Sequence, residues 1–144
     1  MSQQTRDSGR ERGSATLEAV IGVPAFLLFV LLIIAAGRIA LARQAVEASA
    51  AEAARSASIA RTQHQAADGA SGAATSLRNQ GVRCTSQRVD IDTSGFAAPV
   101  GTPAKVTATV TCIADLSDLS IPGLPGSRTI TATMSSPIDT YRER

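Results

Sequence analysis

Residues Ala19 to Gly37 read AVIGVPAFLLFVLLIIAAG, nineteen positions without a charge, bounded by Glu18 and Arg38. At about 1.5 Å of rise per residue, a helix of this length spans roughly 28 Å, close to the ~30 Å hydrocarbon core of a bilayer. Its centre, Phe26 to Ile34, is almost wholly large and apolar. A core helix of a water-soluble domain would show a polar face within this length, and this stretch shows none. No other stretch of the 144-residue chain qualifies, so the sequence predicts a single membrane-spanning helix. Two alternatives stand beside it. One is a secretory signal cut after Ala40-Leu41-Ala42, although the apolar run exceeds the usual ~7–15 residues and Arg38 separates it from that cut. The other is a plain anchor with no processing.

Composition narrows the function classes. Aromatics make up 3% of the chain (Phe26, Phe29, Phe96 and Tyr141), and there is no Trp. That argues against a base-stacking nucleic-acid surface. Fourteen Lys and Arg against twelve Asp and Glu leave a net charge of +2. The basic residues are scattered, so neither a DNA-binding face nor a polybasic membrane patch is indicated, and nucleic acid is not expected as a partner. One histidine, His64, and two cysteines, Cys84 and Cys112, are too few for a His-rich metal site or a structural Cys-type zinc site. A catalytic thiol needs a base. His64 lies in a polar stretch with no evident orienting partner and reads as a solvated side chain. No catalytic residue, metal or cofactor is expected, and the chain does not read as an enzyme.

Charge leaves the orientation undecided. Arg6, Arg10 and Arg12 precede the apolar run; Arg38, Arg43 and Arg55 follow it within twenty residues. The cysteines decide better. Both lie C-terminal to the run, and paired cysteines in a small β-rich module suit an oxidising compartment. The expected location is the plasma membrane, with the N-terminus in the cytoplasm and the body outside.

The helix is expected to continue past Arg38. From Ala40 to Ala60, ten of twenty-one residues are Ala, with no Gly or Pro, and this propensity predicts helix to about Gln65. Gly69 and Gly72 then weaken it, and a second short helix is expected over Ala73–Asn79. Arg43/Glu47 and Glu52/Arg55 stand at pairing distance along a helix. Ile39, Val46, Ala50, Ala53, Ala57 and Ala60 form a stripe at three- and four-residue steps that lets another element approach closely. That element is read first as the protein's own sheet, and second as a partner subunit.

From Val82 the pattern changes to alternation. In Lys105–Cys112, KVTATVTC, Val106, Ala108, Val110 and Cys112 share one face. Arg128–Ser135 repeats this, with Ile130, Ala132 and Met134 inward. Val82–Asp92 is a third candidate strand whose parity slips between Cys84 and Val89, the mark of a bulge. Pro99, Gly101 and Pro103 break before the second strand, and the loop Ile121-Pro122-Gly123-Leu124-Pro125-Gly126 separates the second and third. The expected fold class is α+β: a long membrane-spanning helix followed by a small, mostly antiparallel three-stranded sheet. From His64 onward there are 81 residues and only sixteen Val, Ile, Leu, Met or Phe, a thin core. A Cys84–Cys112 bridge would close a loop of about 29 residues and contribute roughly 3.6 kcal/mol in the chain-entropy description. Two free buried thiols are the alternative.

Glu18 stands at the edge of the apolar run, where a carboxylate taken into hydrocarbon costs on the order of 3 kcal/mol. It could simply mark a helix start, where acids favour the N-terminal dipole. The preceding residues, Arg12-Gly13-Ser14-Ala15-Thr16-Leu17-Glu18, resemble the class III signal of type IV pilin-like proteins. In that signal a short basic leader ends in Gly, a membrane-embedded prepilin peptidase cuts after it, and the fifth mature residue is Glu. The resemblance implies cleavage between Gly13 and Ser14, with Glu18 as the fifth mature residue. The new Ser14 ammonium would then meet the Glu18 carboxylate of a neighbouring chain and pin the register of assembly. Pro24 removes one backbone donor, and a kink is expected there.

The whole arrangement resembles the TadE-like minor pseudopilins of the tight-adherence (Tad, or Flp pilus) secretion systems. The residues that carry this are RGSATLEAV before the run, the run itself, the Ala-rich stretch after it, and a short β tail ending near Pro137–Tyr141. Ala19 follows the Glu where the family often has an aromatic residue. The chain is also far longer than a major Flp pilin. The resemblance implies a pilin-like protein of pilus biogenesis or secretion, with a cytoplasmic leader (1–13), a transmembrane helix (14–37), an extracytoplasmic helical region (38–80) and a β module (81–144). Implied partners are the membrane, the prepilin peptidase, other pseudopilins and pilus platform proteins, with homo- or hetero-oligomers forming through the N-terminal helix.

Overall fold

The computed structural model describes residues 8–119, 123 and 125–141, with side chains from residue 18 onward. The first part of the expected leader (1–7) and Ile121, Pro122 and Leu124 of the expected loop lie outside the described residues.

Helix α1 runs unbroken from Ser8 to Ser58, 51 residues, or about 77 Å. Its two halves have different surroundings. From Val20 to Phe29 the large apolar side chains stand exposed all round, whereas higher up a buried stripe takes over: Ala35, then Ala42, Ala45, Val46, Ser49, Ala50, Ala53, Ala54 and Ala57. The stripe expected from the sequence is thus the docking face for the chain's own sheet. Val46, Ala50, Ala53 and Ala57 are buried, and Ile39 and Ala60 half-buried. Methyl-sized side chains let the helix lie close against the strands, as a Leu-lined face could not.

The helix ends earlier than propensity predicts. It stops at Ser58, and α2 occupies Gln63–Asn79, so Gly69 and Gly72 lie inside α2 rather than between two helices. A local cap accounts for the break. The Thr62 hydroxyl accepts a hydrogen bond from the Gln65 amide (3.2 Å), and the Gln65 side chain accepts one from the Arg61 amide (3.2 Å). The first satisfies a helix-start donor that would otherwise be unpaired, and the second ties down the backbone just before the cap. The turn lets α2 fold back so that Ala66, Ala73 and Leu77 are buried against α1 and the sheet. The Glu52 carboxylate then accepts from Ser76 of α2 (2.8 Å), and neither Arg43/Glu47 nor Glu52/Arg55 forms an ion pair.

Three strands follow, β1 (Cys84–Asp92), β2 (Ala104–Asp115) and β3 (Ser127–Ile138), each somewhat different in extent from its sequence-predicted range. They form an antiparallel sheet in the order β1-β2-β3. The expected parity slip is a register shift between Cys84 and Ser86. It turns Cys84 onto the inner face beside Val89, and the Cys84–Cys112 disulfide forms there with a Cα–Cα distance of 5.5 Å. Val106, Ala108, Val110, Cys112 and Ala114 of β2 are buried, as are Ile130, Ala132 and Ile138 of β3. Met134 keeps the inward parity but is exposed. The outer face carries cross-strand hydroxyl pairs, Thr109 with Thr133 (3.0 Å) and Thr111 with Thr131 (3.2 Å), which stabilise the pairing without apolar exposure.

The short 3₁₀ turn Ser94–Ala97 seals the end of the sheet far from Cys84, with Phe96 packed on Ala57, Ala66, Val106 and Ile138. Gly95 is required there by space. A β-carbon at this position would run into the backbone carbonyl of Lys105, which cannot swing aside as a side chain could. Gly95→Ala is therefore expected to cost about 1–3 kcal/mol of stability, measurable by chemical denaturation of the full chain.

Candidate assembly and processing site

The residues singled out for processing and assembly all fall on α1. The Gly13–Ser14 bond lies in helical backbone, and Glu18 follows Ser14 by four residues, about one helical turn. The side chains of Gly13 and Ser14 lie outside the described residues. Glu18 is exposed and makes no ion pair or hydrogen bond among the described residues. It is the last charge before the apolar run, which no part of the rest of the chain covers up to Phe29. α1 passes through Pro24 as one continuous helix. By length and composition, this is a helix able to cross a membrane, close to the N-terminus.

At the other end of the run, Arg38 Nη1 lies 2.6 Å from Asp118 Oδ2 in the short 3₁₀ turn Ser117–Leu119 just after β2. The sequence reading did not find this pair; eighty residues separate its partners, and only the sheet brings them together. The turn itself is shaped by Asp115. Its carboxylate accepts from both the hydroxyl (2.6 Å) and the amide (3.0 Å) of Ser117, and these bonds, with the charge of Arg83, hold its carboxyl below the ordinary value of 3.8. A hollow of about 710 Å³ opens beside this junction, lined by Arg38, Leu41, Ala45, Val82, Arg83 and Leu116 among others.

His64 is 90% exposed at the side chain, 3.6 Å from Asp68 one turn along α2. Cys84 and Cys112 are joined, and no free thiol is present among the described residues. Among the described residues, no group of three or more His, Cys, Asp or Glu is arranged to hold a metal ion.

No curated protein and no solved structure matches the chain. A family model does: that of the TadE-like protein family matches residues 13–55. The match opens at Gly13 and closes three residues before the end of α1, so it covers Glu18, the apolar run and most of the module's docking stripe. This family is a pilus structural and assembly family. Over residues 13–55, in the single helix that holds both the apolar run and most of the scaffold of the folded module, the chain is similar to TadE-like proteins, a likeness that points to the Tad pilus.

Proposed function

We propose that this protein is a minor pseudopilin of Tad/Flp-type pilus biogenesis or secretion, anchored by one transmembrane helix over residues 14–37. Residues 1–13 act as a cytoplasmic leader that the prepilin peptidase removes. Residues 38–80 and 81–144 stand outside the plasma membrane as a helical region and a β module. The observation that carries this reading is the position of Glu18: five residues after Gly13, at the lip of an uncharged run, inside a TadE-like match that begins at Gly13.

Cleavage after Gly13 frees an α-ammonium on Ser14. A neighbouring chain's Glu18 carboxylate neutralises it, so two charges that are each unfavourable near hydrocarbon become favourable only when helices align. Pro24, eleventh in the mature chain, frees the Val20 carbonyl and allows the helix to bend where it packs with other pseudopilins or the platform. The module's role is structural, priming or tipping the fibre. The reading as a protein released after Ala42 has less support, because Ala42 is buried among Ala45, Val46, Val110 and Ile130.

Mass spectrometry of protein recovered from membranes of cells that contain the peptidase tests the proposal. The chain is expected to begin at Ser14. An intact N-terminus under those conditions would favour an uncleaved single-pass scaffold instead.

A further inference from the structure

The lower rim of the module overlaps the end of the apolar run. Arg38, the first charge after that run, is held 2.6 Å from Asp118. The buried stripe does not stop at that level. Ala35 lies three residues earlier, about 4.5 Å further down the helix axis, and is only 3% exposed, while its neighbours Ile33 and Ile34 are 56% and 44% exposed. Ala35 shares its helix face with Ala42, so burial on that face continues below the first charge. Asp118 is followed by Leu119, half-buried, and no charged residue occurs again until Arg128. The opposite end of the sheet, with Phe96 and Ile138, packs at Ala57, nineteen residues above Arg38 and so about 28 Å away along the helix.

We propose that the rim around Asp118, Leu119 and Pro125 rests in the headgroup layer of the bilayer, so that the module is held against the lipid surface instead of standing clear on its helix. This rests on the reading of Ala19–Gly37 as a membrane span. Given that span, Arg38 lies at the interface and fixes Asp118 at the same height. Leu119 and Pro125, both uncharged, suit a layer into which interfacial segments sink by about 5–10 Å. The Arg38–Asp118 pair then sets the tilt of the module as well as its height. The second-copy or platform-protein alternatives for this rim are outcomes of the test below.

The chain has no Trp, so one introduced indole reports its own depth. Full-length Leu119→Trp, Pro125→Trp, Val100→Trp and Phe26→Trp proteins would be placed singly in vesicles of phosphatidylethanolamine and phosphatidylglycerol. The acyl chains would carry bromine either near the glycerol or at mid-chain. Pro125 is exposed, so its variant leaves the packing untouched, whereas Leu119 is half-buried. Phe26→Trp is expected to be quenched by mid-chain bromine, and Leu119→Trp and Pro125→Trp about twofold by the shallow bromine, whose depth matches a segment sunk by about 5–10 Å. Val100→Trp, in the connection at the far end of the sheet, is expected to be unaffected. If Leu119→Trp and Pro125→Trp behave like Val100→Trp while Phe26→Trp is quenched, the rim contact is overturned, the span stands, and the rim is left for a protein neighbour. Absence of quenching at Phe26 removes the span and the rim contact together.

Discussion

Exchange of Cys84 and Cys112 together for Ser is expected to lower the unfolding midpoint of the module by about 15–30 °C. Two quantities set this size. Releasing a loop of about 29 residues returns roughly 3.6 kcal/mol of chain entropy to the unfolded state, and for a domain of this size each kcal/mol is worth about 4–8 °C. The core offers little to offset the loss. On the helical side it is almost entirely Ala, with Val46 and Leu77 the larger side chains, and on the sheet it is Val106, Val110, Ile130 and Ile138. Cys112 is itself fully buried between Val110 and Ala114, so Ser also brings a hydroxyl into an apolar layer. The double Ala variant separates the two contributions, because it removes the cross-link without burying a hydroxyl. Thermal circular dichroism with and without reductant is the measurement. A midpoint unmoved by reduction would mean that helix–sheet packing alone holds the module.

Glu18→Gln is expected to leave membrane insertion intact and to abolish assembly. The amide keeps the shape and hydrogen-bonding capacity of the side chain but removes the charge proposed to answer the Ser14 ammonium of a neighbour. Losing that partner leaves an uncompensated charge near hydrocarbon, on the order of 3 kcal/mol, or about a hundredfold fewer correctly aligned helices. The variant protein should still fractionate with membranes, since the apolar run from Ala19 to Gly37 is unchanged. Fibres counted by electron microscopy and cells retained on a surface are the readouts. Undiminished fibres and adhesion would reduce Glu18 to a helix-start residue and the protein to a tether.

The two halves of the chain were unequally legible in the sequence. The apolar run needs no partner to be read, because its length and lack of charge are local properties. The strands were likewise visible in alternation, and the bulge in the parity slip after Cys84, because a period of two is written residue by residue. The end of α1 was misplaced for a specific reason. Ala-rich propensity carried the expectation past Ser58, while Thr62 and Gln65, three residues apart, already spelled a helix start. That capping signal outweighs a few more helix-favouring residues once folding back buries Leu77 and Ala66. Of the surface pairs expected along α1, Glu52/Arg55 did not form, and Glu52 is instead engaged across the helix–helix contact by Ser76.

The sequence by itself determined the class of the protein: an uncharged helix of bilayer length, a charge at its lip, and a small cross-linked sheet. Each follows from spacing within a few residues. The tertiary structure decided which way the small-residue stripe faces, that the two cysteines are joined instead of free, and how low the module sits on its helix. Those depend on contacts between residues far apart in the chain, Arg38 with Asp118 and Cys84 with Cys112 among them. Their energies arise only after the chain has closed the loops between them, so no local pattern records them.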